Sequence, residues 1–238
     1  MPLLPFLSSL LLLFCATLAP LPALAQAACA SDGQRPPRAL LERFVSADCA
    51  DCWRAPGTPR PRARILALDW IVPGAGGEDA PLAAAASRDA LERLQALGRS
   101  APRGTLALEG PVRPPARPAL LRVAHGLPLG GYLGAAIDYR PAPGPAEPVT
   151  LWLALVENLP AGSEGSPVAR RLVRNLLRLD WSGEADAAGA ARFHETRPLG
   201  IPEGARAERL GVVGWAEHTD GRIRAIAQSV CAAARPGS

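Results

Sequence analysis

"FVSADCADCWRAPG", residues 44–57, decides how the first half of this chain is read. Cys49 and Cys52 form a C-x-x-C pair directly after a short apolar run, where a redox protein holds its active cysteines and a structural protein closes a small loop. The residues after Cys52 limit any helix that opens there. Trp53, Arg54 and Ala55 run into "PGTPRPR", and Pro56, Gly57, Pro59 and Pro61 cannot occupy a helix interior, so the helix ends after about one turn.

Working outward, "ALLERFVS" (39–46) reads as a strand leading into the cysteines and "ARILALDWIV" (63–72) as a buried strand after them. "PGAGGEDAP" is a loop, and "SRDALERLQALG" (87–98) is an amphipathic helix with Ser87 as its N-cap. A further strand is expected at 104–109. This order of strand, C-x-x-C, strand, helix, proline and strand outlines an α/β thioredoxin-like N-terminal domain over 28–112.

From residue 113 to 238 the pattern changes to a β-rich half, an antiparallel sheet or sandwich. Strand-like runs at 131–140, 149–158, 189–199, 208–218 and 221–230 alternate with Pro/Gly stretches, and "HTDGR" between the last two is a hairpin turn. The segment 168–181 stays open. Its Leu172, Val173, Leu176 and Leu177 suit a helix, with Arg170, Arg174 and Arg178 on a solvated side.

Residues 1–27 carry an apolar run followed by small residues and read as a signal peptide, with the mature chain beginning at or just after Gln26, although the start lacks Lys or Arg. Pro20 and Pro22 break the apolar run and argue against stable membrane insertion after processing. The expected location is periplasmic or secreted. Cys15 leaves with the signal, and four cysteines remain in an oxidising compartment. The spacing of Cys49 and Cys52 suits a local disulfide, which leaves Cys29 to pair with Cys231 and staple the chain ends. A net charge of +4 and 5% aromatic residues argue against nucleic acid as a partner. The basic residues are all Arg, a compositional bias rather than an interaction signature. No cofactor motif is present: there is no G-x-S-x-G and no phosphate loop, and "GAGGED" lacks the strand and helix of a dinucleotide site. His125, His194 and His218 have no partner at metal-ligand spacing.

Together, "S-x-x-C-x-x-C", "ILALDW", "GGEDAP", "SRDALERLQALG", "GLPLGGYLGAAIDYR", "LWLALVEN" and "GVVGWAEHTDGRIRAIAQ" resemble, over nearly the whole mature chain, the secreted bacterial thioredoxin-like family called domain of unknown function 1223. The resemblance implies an exported protein with a thioredoxin-like first half and a β-rich second half, and no settled activity. It also implies that Pro102, in "SAPRG", is a cis-proline beside the disulfide. The chain departs from the family in three places: the shortened helix after Cys52, "IVPGA" (71–75) where members carry a His-containing aromatic stretch, and Arg174 where members carry a His.

Two functions are expected. The first is thiol–disulfide exchange with a protein thiol or disulfide partner, Cys49 attacking and Cys52 resolving the mixed disulfide. The second is a non-catalytic structural or interaction protein with two structural disulfides. A copper-binding accessory protein is a third alternative. The shortened helix and the flanking Asp48 and Asp51 oppose a thiolate at Cys49 and favour the structural reading.

Overall fold

The computed structural model describes residues 29–114, 119–144, 147–185 and 191–231; the expected signal peptide lies outside them. In chain order the elements are β1 (Cys29–Ala30), β2 (Ala39–Ser46), α1 (Ala50–Arg54), β3 (Ile65–Val72), α2 (Arg88–Ala96), β4 (Thr105–Pro111) and β5 (Leu120–His125). They continue with β6 (Tyr132–Arg140), β7 (Val149–Leu159), β8 (Arg170–Trp181), β9 (Phe193–Gly200), β10 (Leu210–His218) and β11 (Ile223–Gln228).

These strands build two sheets, one of seven strands ordered β11-β10-β7-β8-β3-β2-β4 and one of four ordered β1-β5-β6-β9. Two contacts in the large sheet are parallel, β2 with β3 and β3 with β8; the rest of its pairing is antiparallel. This corrects the expectation of an α/β thioredoxin-like N-terminal domain. The protein is mainly β, and its first-half strands share one sheet with β7, β8, β10 and β11. Its α-helices among the described residues are the five-residue α1 and the nine-residue α2. The physical cause is in part the proline run after Arg54, which removes the helix that would cover that face.

One face of the large sheet carries Leu40, Phe44, Leu68, Trp70, Trp152, Val213 and Trp215, and α2 covers it with Ala90 and Leu94. The other face carries Leu151, Leu153, Leu155 and Val212 and packs on Val123, Leu133, Ile137 and Leu199 of the small sheet. Gly214 permits this approach, since a Cβ there would stand 2.6 Å from Val123 Cγ1. With both faces covered, β7 reads as a continuous apolar run rather than an alternating one.

The segment 168–181, open from sequence, is the strand β8. Its register against β7 shifts between Leu155 and Val156, where Asn175 and Val173 are successive partners and Arg174 is the extra residue. Such a bulge breaks the period-two pattern, which is why Leu172, Val173, Leu176 and Leu177 mimic helical spacing.

Two buried charge clusters tie the elements together. Arg93 of α2 is 1% exposed and donates to both Glu42 of β2 (2.7 Å) and Glu217 of β10 (2.6 Å). Its guanidinium also lies over the rings of Trp152 and Trp215, whose indole N–H groups donate to Glu217. At the β3–β8 seam, where Asp69 is paired with Leu172, the fully buried Asp69 accepts from Arg43 (2.6 Å), Arg170 (3.0 Å) and the Arg171 backbone (2.9 Å). Buried charges need this full partnering, because one left alone would cost several kcal/mol.

Candidate functional site

Strand β2 delivers Ser46, and the turn beyond it, to the cysteine pair. Cys49 and Cys52 are joined by a disulfide, and Cys29 and Cys231 by a second one. Cys49 is the N-cap of α1, and its Sγ accepts the Cys52 backbone N–H at 3.3 Å. Both cysteines are half-buried.

Each flanking aspartate has partners of its own. Asp48 turns to the loop between β3 and α2 and accepts from the backbone N–H groups of Ala75 (2.7 Å) and Gly76 (3.0 Å). That approach is why residue 74 is glycine: a Cβ on Gly74 would overlap the Asp48 carboxylate, and one on Gly76 would lie 2.9 Å from Asp48 Oδ1. Asp51 is exposed and pairs with Arg54 at 3.2 Å. The "PGAGG" loop is therefore an aspartate cradle.

Beyond the cysteines, α1 is held by its single buried residue. The Trp53 indole N–H donates to the Glu164 carbonyl at 2.7 Å, and Arg170 lies over the Trp53 ring at 4.4 Å. Arg170 also donates to the Trp53 carbonyl (2.8 Å), the Thr58 hydroxyl (3.1 Å) and the Ser166 hydroxyl (2.9 Å). A five-residue helix has little stability of its own, so tertiary contacts set its position.

Pro102 lies in the loop before β4. This loop borders the pair through Gly104, whose carbonyl accepts the Ser46 N–H at 2.9 Å; a Cβ added at Gly104 would meet Cys52 Sγ at 3.6 Å. Pro102 itself is joined by a trans peptide bond, as are all the described residues, where the sequence resemblance implied cis.

The histidines are dispersed. His194 stands 3.5 Å from Asp138, and His218 lies beside Glu147 (3.3 Å) and Asp220 (3.1 Å). His125 is the exception that spacing could not reveal. It is Cys29's cross-strand partner in the β1–β5 pairing, and one of its ring nitrogens lies with Cys29 Sγ and Cys231 Sγ in a group whose members are all within 4.8 Å of one another.

The fold and site define a two-sheet β-protein with a half-buried local disulfide and a terminal staple. No protein-family model matches the chain, and no curated protein matches it. Among solved structures it is similar to HBP35 of Porphyromonas gingivalis, at 12% identity over 83% of this chain and 75% of that one, with a TM-score of 0.47. Among the described residues no helix is long and apolar enough to cross a membrane.

Proposed function

We propose that this chain is an exported structural or interaction protein in which Cys49–Cys52 closes a turn rather than exchanging disulfides. The observation that carries the reading is the state of α1. Cys49 sits on a helix of five residues, with one backbone N–H directed at its sulfur. A long helix would add aligned peptide dipoles to lower the thiol pKa, and one turn supplies few of them. The surrounding polar groups are committed to architecture: Asp48 to its cradle, Arg170 to Asp69 and Trp53.

Export fits the same reading, because two disulfides suit an oxidising compartment. The segment 1–27 would direct the chain to the periplasm or outside the cell, with the mature chain beginning at or after Gln26. Mass spectrometry of protein recovered from expressing cells tests this, and a chain retaining residues 1–20 contradicts it.

The function itself is tested by oxidative refolding of a reduced, unfolded small disulfide protein. The disulfide form of this protein should oxidise it no faster than the Cys49→Ala/Cys52→Ala variant does. A rate that depends on Cys49 would establish thiol–disulfide exchange instead.

A further inference from the structure

The terminal staple has a neighbour that a staple does not require. The β1–β5 register sets Cys29 opposite His125, and backbone hydrogen bonds between Ala30 and Val230 bring Cys231 to the same place. Cross-strand partners share one face of a sheet, so the imidazole and both sulfurs converge. His125 is 6% exposed. Its Nδ1 lies 2.8 Å from the Gly126 carbonyl oxygen, which can only accept, so Nδ1 carries the proton. Nε2 then presents a bare lone pair, and it is buried without a hydrogen-bond partner.

A buried unpartnered nitrogen is costly unless something uses it. An imidazole whose other N–H donates to a backbone carbonyl has the tautomer and fixed orientation typical of metal-ligating histidines. Two thiolates with one imidazole make a soft donor set that suits zinc or copper(I), with a coordination position left open. A cleft of ≈ 420 Å³ lined by His125, Arg171, Glu208 and Cys231 reaches the cluster from solvent. Cys231 is exposed and follows β11, next to the Val230 backbone that pairs with Ala30.

We propose that the Cys29–Cys231 pair, in its dithiol state, binds one thiophilic cation through both sulfurs and His125 Nε2, so that the staple and the metal site are alternative states of one cluster. The chain is in the dithiol state before the staple first closes. A dithiol reductant restores it: the S–S bond takes two electrons and two protons to give two thiols, and the reductant becomes a disulfide. Cation binding then releases the two thiol protons. Exchange with an oxidising disulfide, which takes the two electrons and leaves as a dithiol, closes Cys29–Cys231, removes both thiolate ligands and expels the cation.

Cobalt(II) titration of the full chain carrying Cys49→Ser and Cys52→Ser, reduced with a phosphine, tests the site. One equivalent should bind with a thiolate-to-cobalt charge-transfer band, and zinc should displace it. His125→Ala should weaken binding by about tenfold or more, as loss of a ligand does at least as much as loss of an outer-shell partner, and the disulfide form should show no band. As a check that needs no histidine variant, zinc should slow alkylation of Cys29 and Cys231 in the reduced protein. Absence of the band, an unchanged affinity in His125→Ala, or equal alkylation with and without zinc would overturn the proposal. The Cys49–Cys52 reading stands or falls separately, since that pair is absent from the titrated protein.

Discussion

The guanidinium of Arg170 lies 4.4 Å from the centroid of the Trp53 ring and donates to the Trp53 carbonyl at 2.8 Å, so the start of β8 clamps the helix that carries the cysteine pair. The same side chain is 1% exposed and pairs with the fully buried Asp69. Arg170→Ala would leave Asp69 short of a partner, and breaking a buried pair in this way costs about 3–5 kcal/mol. Chemical denaturation should show that loss. Arg170→Lys keeps the charge but not the planar fork, and should fall between the alanine variant and the parent.

Gly74→Ala should dislodge Asp48, because the added Cβ would overlap its carboxylate. The lost hydrogen bonds to Ala75 and Gly76 involve a charged acceptor, and such bonds are worth about 1.5–3 kcal/mol each when well shielded. Asp48 is exposed, so a total of about 1–2 kcal/mol is expected, or a fall in Tm of a few degrees. An unchanged melting curve would show that the cradle is incidental.

The two disulfides should contribute unequally. Cys29–Cys231 closes a sequence separation of 202 and Cys49–Cys52 one of 3. Loop-closure entropy then gives about 5 kcal/mol for the first and about 2 kcal/mol for the second as upper figures. Paired Cys→Ala substitutions, measured by denaturation in oxidised protein, should destabilise in that order. The reverse order would contradict the staple assignment.

Acid should weaken the small sheet through Asp138 of β6. Burial pushes its carboxyl up, but the hydrogen bond from Arg192 and the charges of Arg192, Arg140 and His194 outweigh it and hold the carboxyl below the usual range. A depressed pKa contributes stability that is present above the unfolded-state value, about pH 4, and is lost as pH falls through the folded-state value. Asp138→Asn should therefore flatten the stability profile below about pH 4. A variant profile as steep as the parent's would assign acid sensitivity elsewhere.

Local patterns in the sequence located most of the strands and little of their partnership. The apolar runs at 39–46 and 63–72 match β2 and β3, and Ser87 caps α2 as expected, its hydroxyl accepting the Asp89 N–H at 3.0 Å. The five later runs correspond to β6, β7, β9, β10 and β11. The strand β5 carries little sequence signal because its six residues lie between Pro-rich and Gly-rich stretches without clear alternation. The fold class is not legible locally because nothing in "ILALDWIV" says that β8 lies beside it, a contact made through Asp69. Glu42, Arg93 and Glu217 show in sequence only as charges inside apolar runs, which is the signal that could have revealed the buried cluster. His125 gave none, since chain pairing and not spacing sets it beside Cys29 and Cys231.

If Cys49–Cys52 is a structural link on a helix too short to activate it, its redox potential and thiol acidity should both be those of an ordinary disulfide. Equilibrating the pair with a dithiol buffer, and following thiolate absorbance of the reduced protein against pH, measures this directly. The expected result is a potential below about −300 mV and a Cys49 thiol near the free value of about 8.5. A potential near −120 to −180 mV, roughly that of disulfide-donating oxidoreductases, together with a Cys49 pKa below about 6.5, would contradict the structural reading.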